Sequence, residues 1–182
     1  PQAFLFRWVE RRQRFVCADT VTVWGRFGVA LRSYDRADAS ELTNKLAPYR
    51  MRLLVNDREV FATTYEAFGY GVTHHGELDR NLMLSQRGLG RFENLYRQAG
   101  NQLPFYGAYR AGDGVLFAGA EAGKSGYALA PGVHRLRVVA EDAKGNRSDG
   151  LVVVRVAPLP EIVNFEAEWT GRAVTVVAKT NF

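Results

Sequence analysis

The stretch Pro131-Gly132-Val133-His134-Arg135-Leu136-Arg137-Val138-Val139-Ala140-Glu141-Asp142-Ala143-Lys144-Gly145-Asn146, followed by Leu151-Val152-Val153-Val154-Arg155-Val156, decides the fold class. His134, Leu136, Val138 and Ala140 fall on one face, Arg135 and Arg137 on the other. Side chains alternate across a strand, so this is the pattern of a strand with one face buried. Lys144-Gly145-Asn146 supplies turn chemistry, because Gly and Asn tolerate the left-handed backbone. Residues 151–156 then run back, and the two runs predict a long β-hairpin.

Outward from this hairpin the same signals recur. Thr20–Trp24 alternates and is rich in β-branched residues. Residues 25–34 continue as a strand-like run, with Gly25 and Gly28 marking a bulge or a close backbone approach. Asp35–Pro48 is polar and reads as a long loop. Tyr49–Val55 and Val60–Tyr65 predict a second hairpin around Asn56-Asp57-Arg58. Within 74–87, the spacing of Leu78, Leu82 and Met83 predicts one short helix. Arg91–Arg97 and Val115–Phe117 read as strands, separated by a loop over 100–114 rich in glycine and aromatic residues. The expected fold class is therefore all-β: an immunoglobulin-like antiparallel β-sandwich with long loops.

The expected organisation has three parts. Residues 1–19 form an N-terminal linker or edge strand, and Phe15-Val16-Cys17 reads as a buried strand start. Residues 20–157 form the sandwich. Residues 158–182 hold a Pro-interrupted linker and two strands, Glu161–Trp169 and Ala173–Lys179. Two strands bury too little to stand alone, so they either pair with the sandwich or begin a further β domain. The opening Pro1-Gln2-Ala3 and the ending in mid-pattern suggest an excerpt of a longer protein.

Composition is that of a folded domain, with 47% hydrophobic and 24% charged residues over 182 positions. Lysine and arginine outnumber aspartate and glutamate by 24 to 19, a net charge of +5. That excess is compatible with an anionic partner and selects none. Arg7, Arg11, Arg12 and Arg14 concentrate part of it, read here as a solvated strand face or linker rather than a binding arm. A single cysteine forbids an intrachain disulfide. No apolar run approaches the ~20 residues that cross a bilayer, so no membrane span is expected.

Motifs with chemical content are incomplete. Ala118-Gly119-Ala120-Glu121-Ala122-Gly123-Lys124-Ser125 approaches a phosphate-binding loop, but alanine holds the first glycine position and Pro131-Gly132 leaves no room for the required helix. His75 and Asp79 are spaced to share a helix face as metal ligands do, but a third ligand is missing, and His134 is in phase with a buried strand face. Asp142, Asn146, Ser148 and Asp149 offer fewer oxygens than calcium takes, and the hairpin turn accounts for them. Asn146-Arg147-Ser148 is formally a glycosylation acceptor, and the same turn explains it. No serine sits in a nucleophile elbow. Arg91-Phe92 and Tyr106, Tyr109, Arg110 lack the interleaved basic and aromatic surface of a nucleic-acid module, so no nucleic-acid partner is expected.

A series of segments nevertheless resembles a known family. Gly25–Asp35, Tyr49–Asn56, Phe61–Tyr70, Ala99-Gly100-Asn101-Gln102-Leu103-Pro104-Phe105-Tyr106 and His134–Ser148 occur in order. The series is similar to the β-sandwich region following the catalytic domain in bacterial lysostaphin-type zinc endopeptidases, the family twenty-three metallopeptidases that cut peptidoglycan cross-links. It spans residues 20–156. Gly-Asn-x-Leu-x-x-Tyr, together with the Tyr34-Asp35 strand end, is its most specific part. The catalytic domain of that family holds zinc through His-x-x-x-Asp and His-x-His. His75 and Asp79 match the first spacing by chance, and His-x-His is absent from the sequence. His74-His75 and Asp79-Arg80 also depart from the Thr-Arg and Asp-Tyr of that family.

What the resemblance implies is context. The expectation is a non-catalytic accessory domain, targeting or spacing a secreted peptidoglycan endopeptidase of the periplasm or cell envelope. No cofactor is expected in this chain; zinc belongs to a catalytic domain outside it. Peptidoglycan or the parent catalytic domain are the expected partners. Candidate ligand-binding residues are His74, His75, Tyr106, Tyr109 and Arg110, with the two tyrosine rings expected at the surface to stack on sugars. The alternative is a structural or adhesive immunoglobulin-like module of a bacterial surface protein.

Overall fold

A computed structural model describes residues 3–36, 45–118, 126–157, 161–169 and 174–181. The chain is all-β, with several sheets, few helical turns and no closed barrel among the described residues. The strands are β1 (Phe6–Val9), β2 (Arg14–Val23), β3 (Gly25–Phe27), β4 (Ala30–Leu31), β5 (Asp35–Arg36), β6 (Lys45–Leu46), β7 (Arg50–Val55), β8 (Arg58–Thr64), β9 (Glu93–Asn94), β10 (Leu116–Ala118), β11 (Tyr127–Leu129), β12 (Gly132–Glu141), β13 (Arg147–Val156), β14 (Glu161–Trp169) and β15 (Val174–Asn181).

The hairpin that decides the fold class lies at the centre of a six-stranded sheet ordered β1-β2-β13-β12-β7-β8. β12 and β13 pair from Gly132↔Val156 to Glu141↔Arg147. The turn between them is held by Asp142, whose Oδ1 accepts the N–H groups of Lys144 and Asn146, both at 2.8 Å. β7 and β8 form the second hairpin, with Asn56 and Asp57 at φ 48 and 68. Every neighbour in this sheet is antiparallel except β2 and β13, which run parallel. β1 is an edge strand, and β2 begins at Arg14 rather than Thr20. Cys17 is buried inside β2.

One face of the sheet carries Met51, Leu53, Val55, Leu136, Val138, Val154 and Val156 into the core. There they meet Leu116, Ala118 and Leu129 of the three-stranded sheet β11-β10-β3, and Leu95, Leu103, Phe105 and Tyr106 of the intervening segments. Burying each of the Val, Leu, Met and Phe side chains among them stabilises by about 1.5–3 kcal/mol. On the opposite face Val139 pairs with Arg52 and Asp149 and is buried. Arg52 bridges to Glu59 and Glu141, and Arg137 to Asp57 and Asp149, so that face is a ladder of opposite charges.

Four expected elements come out differently, the first being the expected loop over 35–48, whose ends form β5 and β6, paired with each other. The run 25–34 is divided into β3 and β4, which belong to different sheets. At Gly28, between them, a Cβ would stand 2.5 Å from Cε1 of Tyr96, so the backbone passes directly beneath that ring. The expected strand over Arg91–Arg97 is reduced to Glu93–Asn94, which pairs with β4, Glu93 also bridging Arg80. The single expected helix is two short ones, α1 (Gly76–Asp79) and α2 (Leu82–Gln86), preceded by a 3-10 turn over Tyr70–His75. Residues 119–125, which carry the loop resembling a phosphate site, lie outside the described residues, as do 158–160 and 170–173. β14 and β15 pair with each other in a two-stranded sheet.

Candidate functional site

The segments singled out in the sequence, 74–80 and 100–110, converge on one carboxylate. α1 ends at Asp79, which is buried. Tyr106 donates its hydroxyl to Asp79 Oδ1 at 2.6 Å, and Tyr65, just beyond β8, donates to Oδ2 at 2.9 Å. Asn101 Nδ2 donates to the Tyr106 hydroxyl at 2.7 Å, while Asn101 Oδ1 accepts the N–H of Leu103 at 3.0 Å. Pro104 starts the 3-10 turn Pro104–Tyr106, which aims the Tyr106 ring inward. Gly-Asn-x-Leu-x-x-Tyr is thus a folding device. Its Asn and Tyr clamp the loop to Asp79, and its Leu103 enters the core.

A second carboxylate stands nearby. Glu93 is buried, accepts Arg91 Nε at 2.6 Å, and lies in the bridge Arg80↔Glu93. Around it Asn81 caps α2 through the N–H of Leu84, and Asn94 donates to the carbonyl of Leu78 at 3.3 Å. Arg97 closes the assembly from the other side. Its guanidinium donates to the carbonyls of Asn101 and Tyr109 and lies over the Tyr106 ring, 5.2 Å from the centroid.

Electrostatics follow from burial. Asp79 is held above the ordinary carboxylate range by desolvation, opposed by the two phenol bonds and by Arg91 and Arg80. Glu93 is raised by desolvation and by the charge of Asp79, against Arg91. The Tyr65 and Tyr106 hydroxyls are pushed far up by desolvation and by Asp79, so both stay protonated and donate. Carboxylates raised in this way often mark reactive sites. Here both oxygens of Asp79 are occupied by phenols whose rings seal the cluster. What the arrangement does is lock the 66–110 segment onto the sheet.

The five candidate residues therefore separate. Tyr106 is 2% exposed, which corrects the expectation of a surface stacking ring: its hydroxyl is consumed by Asp79 and Asn101. Tyr109 is half-buried against Phe61, with ring centroids 5.0 Å apart, and donates to Glu59 at 3.2 Å. Burial, then Glu59, pushes its hydroxyl up to about 12. Arg110 is exposed, and its backbone N–H donates to Asp113 Oδ2 at 2.7 Å. His74 is exposed, and its ring lies against that of half-buried His75, centroids 4.1 Å apart and planes tilted by 42°. Among the described residues no group of three or more His, Cys, Asp or Glu side chains gathers as a metal would require. His134 is satisfied at both ring nitrogens, by Asn56 Nδ2 at 2.9 Å and the Ala130 carbonyl at 2.8 Å. Asp142 spends its oxygens on the turn.

A concavity of about 330 Å³ adjoins the clamp loop, lined by Thr64, Glu66, Ala67, Pro104, Phe105 and Gly107, and a larger one lies elsewhere. A groove of about 820 Å³ runs beneath the end of the central hairpin. Phe4, Phe6, Phe15, Leu31, Phe92 and Val138 form its apolar lining. Sequence reading missed it, although Phe4-Leu5-Phe6 ahead of an arginine-rich turn was a visible signal. No helix among the described residues is long and apolar enough to cross a membrane. Comparisons with protein-family models, with curated proteins and with solved structures each returned no match.

Proposed function

We propose that this chain is a non-catalytic immunoglobulin-like accessory domain of a secreted peptidoglycan-cleaving zinc endopeptidase. The observation that carries the reading is what the family-like residues do. Gly28 passes beneath Tyr96, Asn101 and Tyr106 clamp Asp79, and Asp142 with Asn146 closes the central hairpin. The resemblance thus rests on residues that build a scaffold, as expected of a shared domain rather than a shared reaction. His75 and Asp79, spaced like half of a zinc site, are divided between a histidine pair and a tyrosine clamp. The sheet order supports the immunoglobulin-like reading. The last hairpin stands beside β7, and β8 adds at the outside, as strands G, F, C and C′ do in variable-type domains.

Co-sedimentation of the purified chain with isolated peptidoglycan sacculi, at low and at moderate salt, tests the targeting role. Binding that survives moderate salt is the expected result. Absent binding, or binding lost with salt, reduces the interaction to the +5 charge. It then favours the second reading, a structural or adhesive module. One observation motivates that reading: β14 and β15 form a sheet of their own, paired with no strand of the six.

A further inference from the structure

The free edge of β1 brings together three features. β1 is the terminal strand of the six-stranded sheet, so alternate N–H and C=O groups along Phe6–Val9 face away from β2. Such an edge templates another strand unless something blunts it. Its inner-face residues are Phe6, which lines the groove, and Trp8, which packs edge-on against Phe15 at 5.2 Å. Leu5, Trp8 and Phe15 remain 73%, 46% and 36% exposed, and the groove has no occupant among the described residues. Its other face carries Arg7, opposite Val16, while Arg14 lies opposite Val9 and Arg11 and Arg12 form the connecting turn. None of these four arginines has an ion-pair partner among the described residues. Glu10, the acid among them, is taken by Trp8 Nε1 at 2.6 Å and by Gln13.

We infer that β1 docks an extended acidic peptide segment of a partner protein by strand addition, with bulky apolar side chains turned to the groove and acidic ones to the arginines. Charge complementarity selects the occupant. A second copy would set this basic tip against itself, whereas an acidic strand neutralises it. Strand alternation sorts the two kinds of side chain. Phe6 and Trp8 lie on one face of β1 and Arg7 on the other, so a paired strand must alternate apolar and acidic residues. A lipid surface would need both kinds on one side. This inference goes beyond the accessory-domain reading and stands without it, because it invokes a protein segment rather than the cell wall.

The test uses a labelled synthetic peptide of alternating glutamate and leucine, followed by fluorescence anisotropy. Hydrogen exchange of the Phe6–Val9 amides is measured alongside. Saturable binding, protection of those amides, and at least about tenfold weaker binding of an alternating lysine–leucine peptide are expected. Backbone N-methylation of alternate peptide residues removes the ladder donors and should abolish binding without altering the protein. The double substitution R7E and R14E, at one exposed and one half-buried position, should reverse the charge preference. Equal binding of the acidic, basic and N-methylated peptides, or protection elsewhere than β1, would overturn the inference. So would association of Trp8 with anionic phospholipid vesicles in the absence of peptide binding. Sacculi binding by R7E/R14E reports on the accessory role separately.

Discussion

Removing one oxygen tests the clamp most directly. Tyr106→Phe keeps the ring in the core and beneath Arg97, and deletes the hydroxyl between Asp79 and Asn101. Two hydrogen bonds are lost, one of them to a buried carboxylate. A bond to a charged group contributes about 1.5–3 kcal/mol, and the unpaired Asn101 donor adds about 1. Some relief comes from protonation of Asp79, so the expected cost near pH 7.5 is about 2–3 kcal/mol, or roughly 5–10 °C in Tm for a domain of this length. The pH dependence carries the stronger argument. Burial raises Asp79 above its ordinary 3.8 and Glu93 above its ordinary 4.5, so the folded chain retains protons that the unfolded chain has released. That contribution to stability is fully present below the ordinary values and is lost as pH rises through the raised ones. The Tyr106 bond favours ionised Asp79, so its deletion raises the carboxyl further. The loss should be largest above the raised values and shrink to about 1 kcal/mol near pH 4. Urea unfolding followed by tryptophan fluorescence across this range measures both. A cost below about 0.5 kcal/mol, or one equal at both pH values, would refute the assignment of Asp79 as the ionised partner of Tyr106.

Four further outcomes follow from the same geometry. Tyr109→Phe, whose hydroxyl reaches Glu59 at the surface, should cost less than about 0.5 kcal/mol in the same assay. Gly28→Ala forces a methyl group against the Tyr96 ring and should cost about 1–3 kcal/mol, with near-ultraviolet circular dichroism reporting the displaced tyrosine. Asp142→Ala should raise hydrogen exchange at Lys144 and Asn146. Because Asn146 holds the Asp142 carboxyl below the ordinary range, the support of the turn should persist above that range and fade as pH falls through the lowered value. Zinc added to the purified chain should dialyse away, and His75→Ala should leave metal content unchanged; stoichiometric zinc lost on that substitution would restore a metal site.

Legibility of the fold tracked how one-sided each segment's burial is. The hairpin of β12 and β13 declared itself through alternation, because one face meets the core and the other carries charge, whereas that of β7 and β8, with Leu53, Leu54 and Val55 and then Phe61, Ala62 and Thr63 all buried, is marked by its Asn56-Asp57 turn. Alternation places the start of β2 at Thr20 instead of Arg14. Its first half lies near the sheet edge, where Arg14 and Phe15 stay partly or fully open and alternation weakens. The run 25–34 looked like one strand because nothing local shows that Tyr96, far along the chain, sits over Gly28. A glycine permits a close approach without naming what approaches, so the break between β3 and β4 was a tertiary event.

The burial of Tyr106 escapes sequence reading for a related reason. Tyr106 and Tyr109 stood in a loop with Pro104 and Gly107, the composition that suggests exposed rings. What buries Tyr106 is a partner for its hydroxyl: Asp79, a charged residue on a four-residue helix that composition alone assigns to the surface. Each residue is anomalous in isolation and ordinary as a pair. A buried tyrosine needs an acceptor, and a buried carboxylate needs donors. The same reasoning marks where unspent chemistry remains. At Asp79, Asp142 and His134 the polar atoms are matched within the chain. Along β1 they are not. The backbone edge, the exposed Leu5 and Trp8, and four arginines of β1, its turn and β2, without ion-pair partners among the described residues, gather at the same edge. Unmatched groups of three kinds at one edge are what a protein-binding edge requires and what a purely structural edge is expected to suppress.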